Sequence, residues 1–155
     1  MNLKADKLTE IQAKEISNWK YNGEYSIYNL PSWEKMLQEN YSLCDDAKRE
    51  RYMGFLNEDM KLVGFVNLLD QGDSVFLGIG VNPKVCGIGI GKLITNMALI
   101  ESQNKFPNKP VVLEVRTWNK RAVSCYKSQG FRVISTKEQE TKLGLGEFFV
   151  MKHSS

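Results

Sequence analysis

Histidine is almost missing from this chain of 155 residues, with His153 near the C-terminus the single one present. A zinc site of the HExxH kind is therefore excluded, and a Ser-His-Asp triad has no convincing base. His153 itself reads as a solvated terminal residue. Cysteine is scarce too: Cys44, Cys86 and Cys125 make no CxxC pair, and their odd number argues against a disulfide framework and for a reducing compartment. Long hydrophobic runs are lacking, since none approaches the roughly 20 residues of a spanning helix, and the N-terminal residues 1–6 carry no signal-peptide h-region. The expectation is a soluble, cytoplasmic protein with no membrane partner. Proline occurs four times, at Pro31, Pro83, Pro107 and Pro110, each where an element is expected to end or begin.

What is present suits one globular domain over residues 1–155: 42% of residues are hydrophobic and 25% charged, with no repeat, low-complexity tract or linker. A formal charge of +3 does not call for nucleic acid, and none is expected as a partner. The charge is uneven, however. Residues 105–142 hold nine basic side chains against three acidic ones, a net +6 that leaves −3 for the rest. A polyanion held on one side and a cation on the other would explain this, and so would an ordinary solvated surface.

Thr9 with Gln12 forms a capping box that opens a helix to about Lys20, with Leu8 and Ala13 as its staple. A second short helix follows Ser32, with Trp33, Met36 and Leu37 on one face. Residues 52–56 and 61–69 read as strands joined by Asn57, Glu58 and Asp59, and the turn at residues 70–73 leads into a third strand over residues 74–81. Ile90, Leu93, Ile94, Met97 and Ala98 have the spacing of a helix with one buried face. A buried strand over residues 111–117 precedes a helix capped by Asn119 and carrying Ala122, Val123 and Tyr126. Gly130 supplies its left-handed C′ position, and strands over residues 131–136 and 147–151 close the domain.

Between the third strand and the long helix lies Cys86-Gly87-Ile88-Gly89-Ile90-Gly91-Lys92, where backbone N–H groups at a helix N-terminus stand clear of side chains and suit an anion. It is no P-loop, because Cys86 stands where the first glycine belongs and Leu93 where Ser or Thr must follow the lysine. Nor is it the dinucleotide GxGxxG, since Gly87, Gly89 and Gly91 give GxGxG and Glu114 falls inside a strand.

Val81-Asn82-Pro83 followed by Gly87-x-Gly89-x-Gly91-Lys92-Leu93 resembles the acetyl-CoA-binding motif of the GNAT superfamily of N-acetyltransferases, Arg/Gln-x-x-Gly-x-Gly/Ala. Downstream, Leu113-Glu114-Val115, Asn119, Ala122, Tyr126 and Gly130-Phe131 resemble that family's second characteristic segment, locally in the manner of ribosomal-protein N-terminal acetyltransferases. The resemblance implies an α/β fold of the GNAT type, with a mainly antiparallel twisted sheet of about seven strands, about four helices and splayed central strands. Cys86 departs from the motif by replacing the family's Arg or Gln, and Lys84, Lys92, Lys120 or Arg121 can supply charge in its place.

The implied activity is transfer of an acetyl group from acetyl-CoA to a primary amine of a small molecule or a protein N-terminus, by direct attack in a ternary complex. By resemblance the cofactor is held by Ile79, Val81, Cys86, Gly87, Ile88, Gly89, Ile90, Gly91, Lys92, Asn119 and Tyr126. Tyr126 takes the place of the general acid and Glu114 that of the general base, with a water that relays the proton as the competing route and Arg116, two residues along the strand, as an alternative ion-pair partner for Glu114. The glycine-interrupted strand Gly78-Ile79-Gly80-Val81 implies a bulge or a close backbone approach beside the thioester. Cys44 and Cys125 read as core filling rather than reactive thiolates. Trp19, Tyr21, Tyr25 and Tyr28 with Glu24 form an aromatic connection that either shapes the acceptor site or merely packs. A catalytically silent acyl-CoA-binding regulatory module and a nucleotide-binding protein are the alternatives, and the chain is expected to act as a monomer or homodimer.

Overall fold

Thr9 ends the first strand and starts the first helix by a reciprocal pair of hydrogen bonds. Its Oγ1 accepts from the Gln12 N–H at 3.1 Å, while the Gln12 amide oxygen accepts from the Thr9 N–H at 3.0 Å. The computed structural model describes residues 2–86 and 89–154. Strand β1 (Lys4–Lys7) precedes α1 (Glu10–Ser17), which is shorter than expected because Asn18 and Trp19 already turn back on Glu15 and Ile16. A 3-10 turn at Gly23–Tyr28 leads to α2 (Trp33–Gln38). Met36 is fully buried on α2, but Leu37 points outward and is 49% exposed, against expectation. A helix of six residues has too few turns to bury neighbouring positions together.

Two more 3-10 turns precede β2 (Tyr52–Leu56) and β3 (Leu62–Asp70), followed by β4 (Val75–Val81) and a 3-10 turn at Pro83–Val85. The chain then forms α3 (Ile90–Lys105), β5 (Val111–Arg116), α4 (Lys120–Ser128), β6 (Arg132–Thr141) and β7 (Gly144–His153). The strands follow the order β1-β2-β3-β4-β5-β7-β6 in one seven-stranded sheet. The pairs β1 with β2, β2 with β3, β5 with β7 and β6 with β7 are antiparallel. Strands β4 and β5 are parallel, and their ladder holds only Val75 with Val111 and Phe76 with Val112. Seven strands and four α-helices among the described residues match the expected α/β architecture. No helix among the described residues is long and apolar enough to cross a membrane.

The chain divides into two compact units, Met1–Asn67 with Ile79–Ile90 and Leu68–Gly78 with Gly91–Ser155. The first is built on Leu8, Ala13, Ile16, Trp19, Met36, Leu43, Tyr52 and Leu62, which together form a core cluster. In the second, Val111, Leu113 and Val115 are the buried alternate positions of β5, and Val75, Leu77, Phe131 and Met151 are buried as well. Helix α3 buries Ile90, Ile94 and Ala98 as its spacing predicts, together with Thr95 and Ser102. Thr95 tolerates burial because its hydroxyl donates to the Gly91 carbonyl at 2.6 Å.

The hairpin of β6 and β7 is longer than the two short strands expected, because Thr141 and Gly144 pair across a turn and Gly144 adopts a left-handed φ of 98°. In the second unit Lys109 holds Asp70 at 2.8 Å, and Asp70 also accepts the Gly72 N–H at 3.0 Å. The lysine bond, then the backbone bond, hold the Asp70 carboxyl below its ordinary range. Folding therefore favours the charged form. Its contribution is full above the unfolded value near 3.9 and is lost as pH falls through the lower folded value. Asp70→Asn is expected to lower Tm by about 1–3 °C at pH 7, with the difference gone near pH 2, as thermal melts at the two pH values will show.

Candidate active site

The candidate residues fall into two groups, one in each unit. In the first unit the end of β4 carries no side chain at Gly80, because a Cβ there would run into the Phe65 ring, with its Cζ only 2.6 Å away. The ring cannot easily give way: it lies 6.0 Å from that of Trp19 and 6.1 Å from that of Tyr52. One residue on, the Val81 carbonyl accepts from the Tyr21 hydroxyl at 2.6 Å.

Asn82 then pins the exit from the strand. Its N–H donates to the Val63 carbonyl at 2.9 Å, its side-chain amide donates to the Leu62 carbonyl, and its oxygen caps the following turn through the Lys84 N–H. Cys86, at the position of the family's Arg or Gln, turns its thiol back toward the carbonyls of Val81 and Asn82, at 3.7 and 3.5 Å. Gly87 and Ile88 lie outside the described residues. Gly89 has a φ of 85°, and among the described residues, its chain neighbours aside, no atom lies within 4 Å of where a Cβ would stand. The left-handed backbone explains that glycine, and the open space fits a ligand close to the main chain. Ile90, buried, opens α3.

In the second unit α3 continues with a half-buried Gly91 and an exposed Lys92. On β5, Glu114 alternates with the buried positions and is half-buried. Its Oε2 meets the Lys137 Nζ at 2.7 Å, so its partner is Lys137 on β6 and not Arg116. Register explains the difference. Phe148 on β7 stands directly opposite Arg116 and draws its guanidinium over the ring, 4.8 Å from the centroid. Lys137 is the residue opposite Phe148 on the other side and reaches back to Glu114.

Asn119 is 7% exposed; its N–H donates to the Arg116 carbonyl at 2.9 Å, and its oxygen accepts the Ala122 N–H at 3.2 Å. It therefore caps α4, as its position predicts. Tyr126, half-buried on that helix, meets Phe131 edge-on with ring centroids 6.0 Å apart. The helix ends as its sequence implies, with Gly130 at a φ of 98° and the Phe131 N–H closing onto the Tyr126 carbonyl at 3.0 Å. His153 is not a solvated end residue: it is half-buried, with its ring 5.4 Å from that of Phe131 and its Nε2 beside Gly130. Burial pushes the thiols of Cys44 and Cys125 up, which leaves neither as a ready nucleophile.

Of the aromatic connection, Trp19 belongs to the core, Tyr21 is half-buried, and Tyr28 meets Tyr21 edge-on at 6.4 Å with about a third of its own surface exposed. Glu24 is exposed. The bond from Tyr21 to Val81 was not legible in the sequence, because 60 positions separate the two residues.

The profile of the Acetyltransferase (GNAT) family matches residues 12–131. The chain belongs to that family. No curated protein matches it significantly. Among solved structures, a spermidine N-acetyltransferase chimera of SpeG from Vibrio cholerae and hSSAT superposes with a TM-score of 0.78 at 21% identity, covering 99% of this chain and 96% of its own. The ribosomal-protein-S18-alanine N-acetyltransferase from Escherichia coli gives 0.70 at 19% identity, with 98% and 93% covered. A GNAT acetyltransferase from Streptococcus pneumoniae gives 0.68 at 19%, with 97% and 98% covered. These likenesses concern the fold. The GNAT membership makes the chain an acetyltransferase that uses acetyl-CoA as donor and an amine as acceptor.

Proposed function

We propose that this GNAT enzyme, as one acetyltransferase domain over residues 1–155, acetylates a primary amine of a small molecule or of a protein N-terminus by direct attack on the thioester. The observation that carries this reading is the linkage within the second unit. Strand β5 presents Glu114, its last residue Arg116 anchors Asn119, and Asn119 caps the helix that presents Tyr126. Base and acid are thus fixed to each other by one strand, one cap and one helix. In this reading Glu114 takes the proton of the acceptor ammonium, and Tyr126 gives a proton to the departing thiol. For the donor, Ile79, Val81, Cys86, Gly87, Ile88, Gly89 and Ile90 are assigned from the first unit, and Gly91, Lys92, Asn119 and Tyr126 from the second. Cys86 contributes through the turn it braces rather than through a charge. The raised thiols of Cys44 and Cys125 favour direct transfer over an acetyl-cysteine intermediate. The small, odd number of cysteines with no CxxC pair supports a reducing compartment such as the cytoplasm.

The test is thiol release from acetyl-CoA over a panel of amines that begins with spermidine and an alanine-terminated peptide. Turnover with one amine class supports the reading; binding of acetyl-CoA with no release for any amine supports a silent module. Glu114→Gln is expected to lower kcat/KM at pH 7 about tenfold or more. The loss should shrink as pH approaches about 10, where solvent deprotonates an alkyl amine without help. A profile that parallels the parent's would remove Glu114 from the base role.

A further inference from the structure

The geometry points to Tyr21 as a positioning residue for the acetyl donor: its hydroxyl, donating to the Val81 carbonyl, fixes the direction of the strand end along which the donor's pantetheine arm lies. This rests on the reading of Ile79–Val81 as the donor strand. Four observations within the first unit carry it.

The bond is short, at 2.6 Å, and joins residues 60 positions apart, so helix and strand formation do not produce it as a by-product. Tyr21 is itself held on two sides. Its N–H donates to the Asn29 Oδ1 at 2.7 Å, and its ring meets Tyr28 edge-on at 6.4 Å. A second donor, the Cys86 thiol, approaches the same carbonyl at 3.7 Å from the turn that follows. Finally, the neighbouring Gly80 has no side chain to lock the strand end, because Phe65 fills that space. The peptide that joins Val81 to Asn82 is thus held from both sides, by its Asn82 N–H on the Val63 carbonyl and by the groups gathered on the Val81 oxygen.

A carbonyl oxygen has two lone pairs: the hydroxyl holds one, and the thiol at 3.7 Å is a weak donor that an amide N–H of the arm can displace from the other. The hydroxyl remains a donor across the working pH range, because burial, then the neighbouring Cys86, push its ionisation far above neutrality. A tyrosine that only filled space would do so equally well as phenylalanine.

Tyr21→Phe keeps the ring and removes the bond. Calorimetry with two probes then separates the roles: acetyl-CoA, and 3′-phospho-ADP, which is the coenzyme without its pantetheine arm. Tyr21→Phe is expected to bind acetyl-CoA about tenfold more weakly and 3′-phospho-ADP as the parent does, with Tm within about 2 °C. Gly89→Ala, strained at its left-handed φ, is expected to weaken both. If Tyr21→Phe binds acetyl-CoA like the parent while Gly89→Ala does not, the positioning role is overturned and the donor site stands. If both variants bind both probes like the parent, the donor site and the role fall together. Equal weakening of both probes by Tyr21→Phe also overturns the role, since the effect is then not on the arm. Should Tyr21→Phe lose its fold, Asn29→Ala decides: selective weakening toward acetyl-CoA supports the role, and parental affinity overturns it.

Discussion

Replacing Tyr126 by phenylalanine is expected to lower kcat about a hundredfold or more while acetyl-CoA affinity stays within about twofold of the parent. The substitution removes one oxygen and leaves the ring. The edge-on contact with Phe131, the closing bond from the Phe131 N–H and the Asn119 cap at the start of α4 all involve atoms that phenylalanine retains. A loss of rate in a variant whose Tm stays close to the parent's then belongs to the hydroxyl.

The chemistry gives the loss its size. Acetyl transfer expels a thiolate whose conjugate acid has a pKa near 8.5, which departs poorly as a bare anion in a dry pocket, and a neighbouring tyrosine hydroxyl can give it a proton as it leaves. Removing a positioned proton donor costs typically 10²–10⁴ in rate. A merely packing tyrosine would show the opposite pattern, with little change in kcat and any effect confined to Tm. Steady-state kinetics with the best amine of the panel, beside calorimetry with acetyl-CoA, tells these apart. A kcat equal to the parent's would remove Tyr126 from the acid role.

The Asn119 cap and the Gly130 helix end could be read from the sequence because their signals are local. A cap lies three residues from the group it satisfies, and a left-handed glycine at the helix end requires no distant partner. The same holds for the Thr9 and Gln12 box. Where the sequence misled, the deciding contact came from far along the chain. Arg116 seemed a natural partner for Glu114, but register places Phe148 opposite Arg116 and brings Lys137 across from another strand. Strand β6 was read too short because nearly all of its residues are exposed. An edge strand without a buried face leaves no alternation to detect. His153 seemed solvated because nothing nearby in sequence announces that Phe131 will receive it.

The glycine at position 80 is the instructive intermediate case. Its sequence setting implied a close approach without saying by what, and a ligand was the natural candidate. The structure supplies an internal one, the Phe65 ring. Gly80→Ala is therefore expected to destabilise the protein by about 2 kcal/mol, a fall in Tm of about 4–8 °C, even with no ligand present. The new Cβ must displace a ring already flanked by Trp19 and Tyr52, so three aromatic residues have to repack. Because the clash is with one side chain, it is correctable. Phe65→Leu alone should also destabilise, through lost packing, yet the double variant should be more stable than the sum of the two single effects by about 1 kcal/mol or more. Thermal melts of the four proteins measure that coupling directly. Simple additivity would mean that the ring is not what requires glycine, and that the strand end needs its bare backbone for the donor alone. A positive coupling means that Phe65 has already claimed this face of residue 80, which leaves the donor to be recognised through the main-chain groups on either side of it.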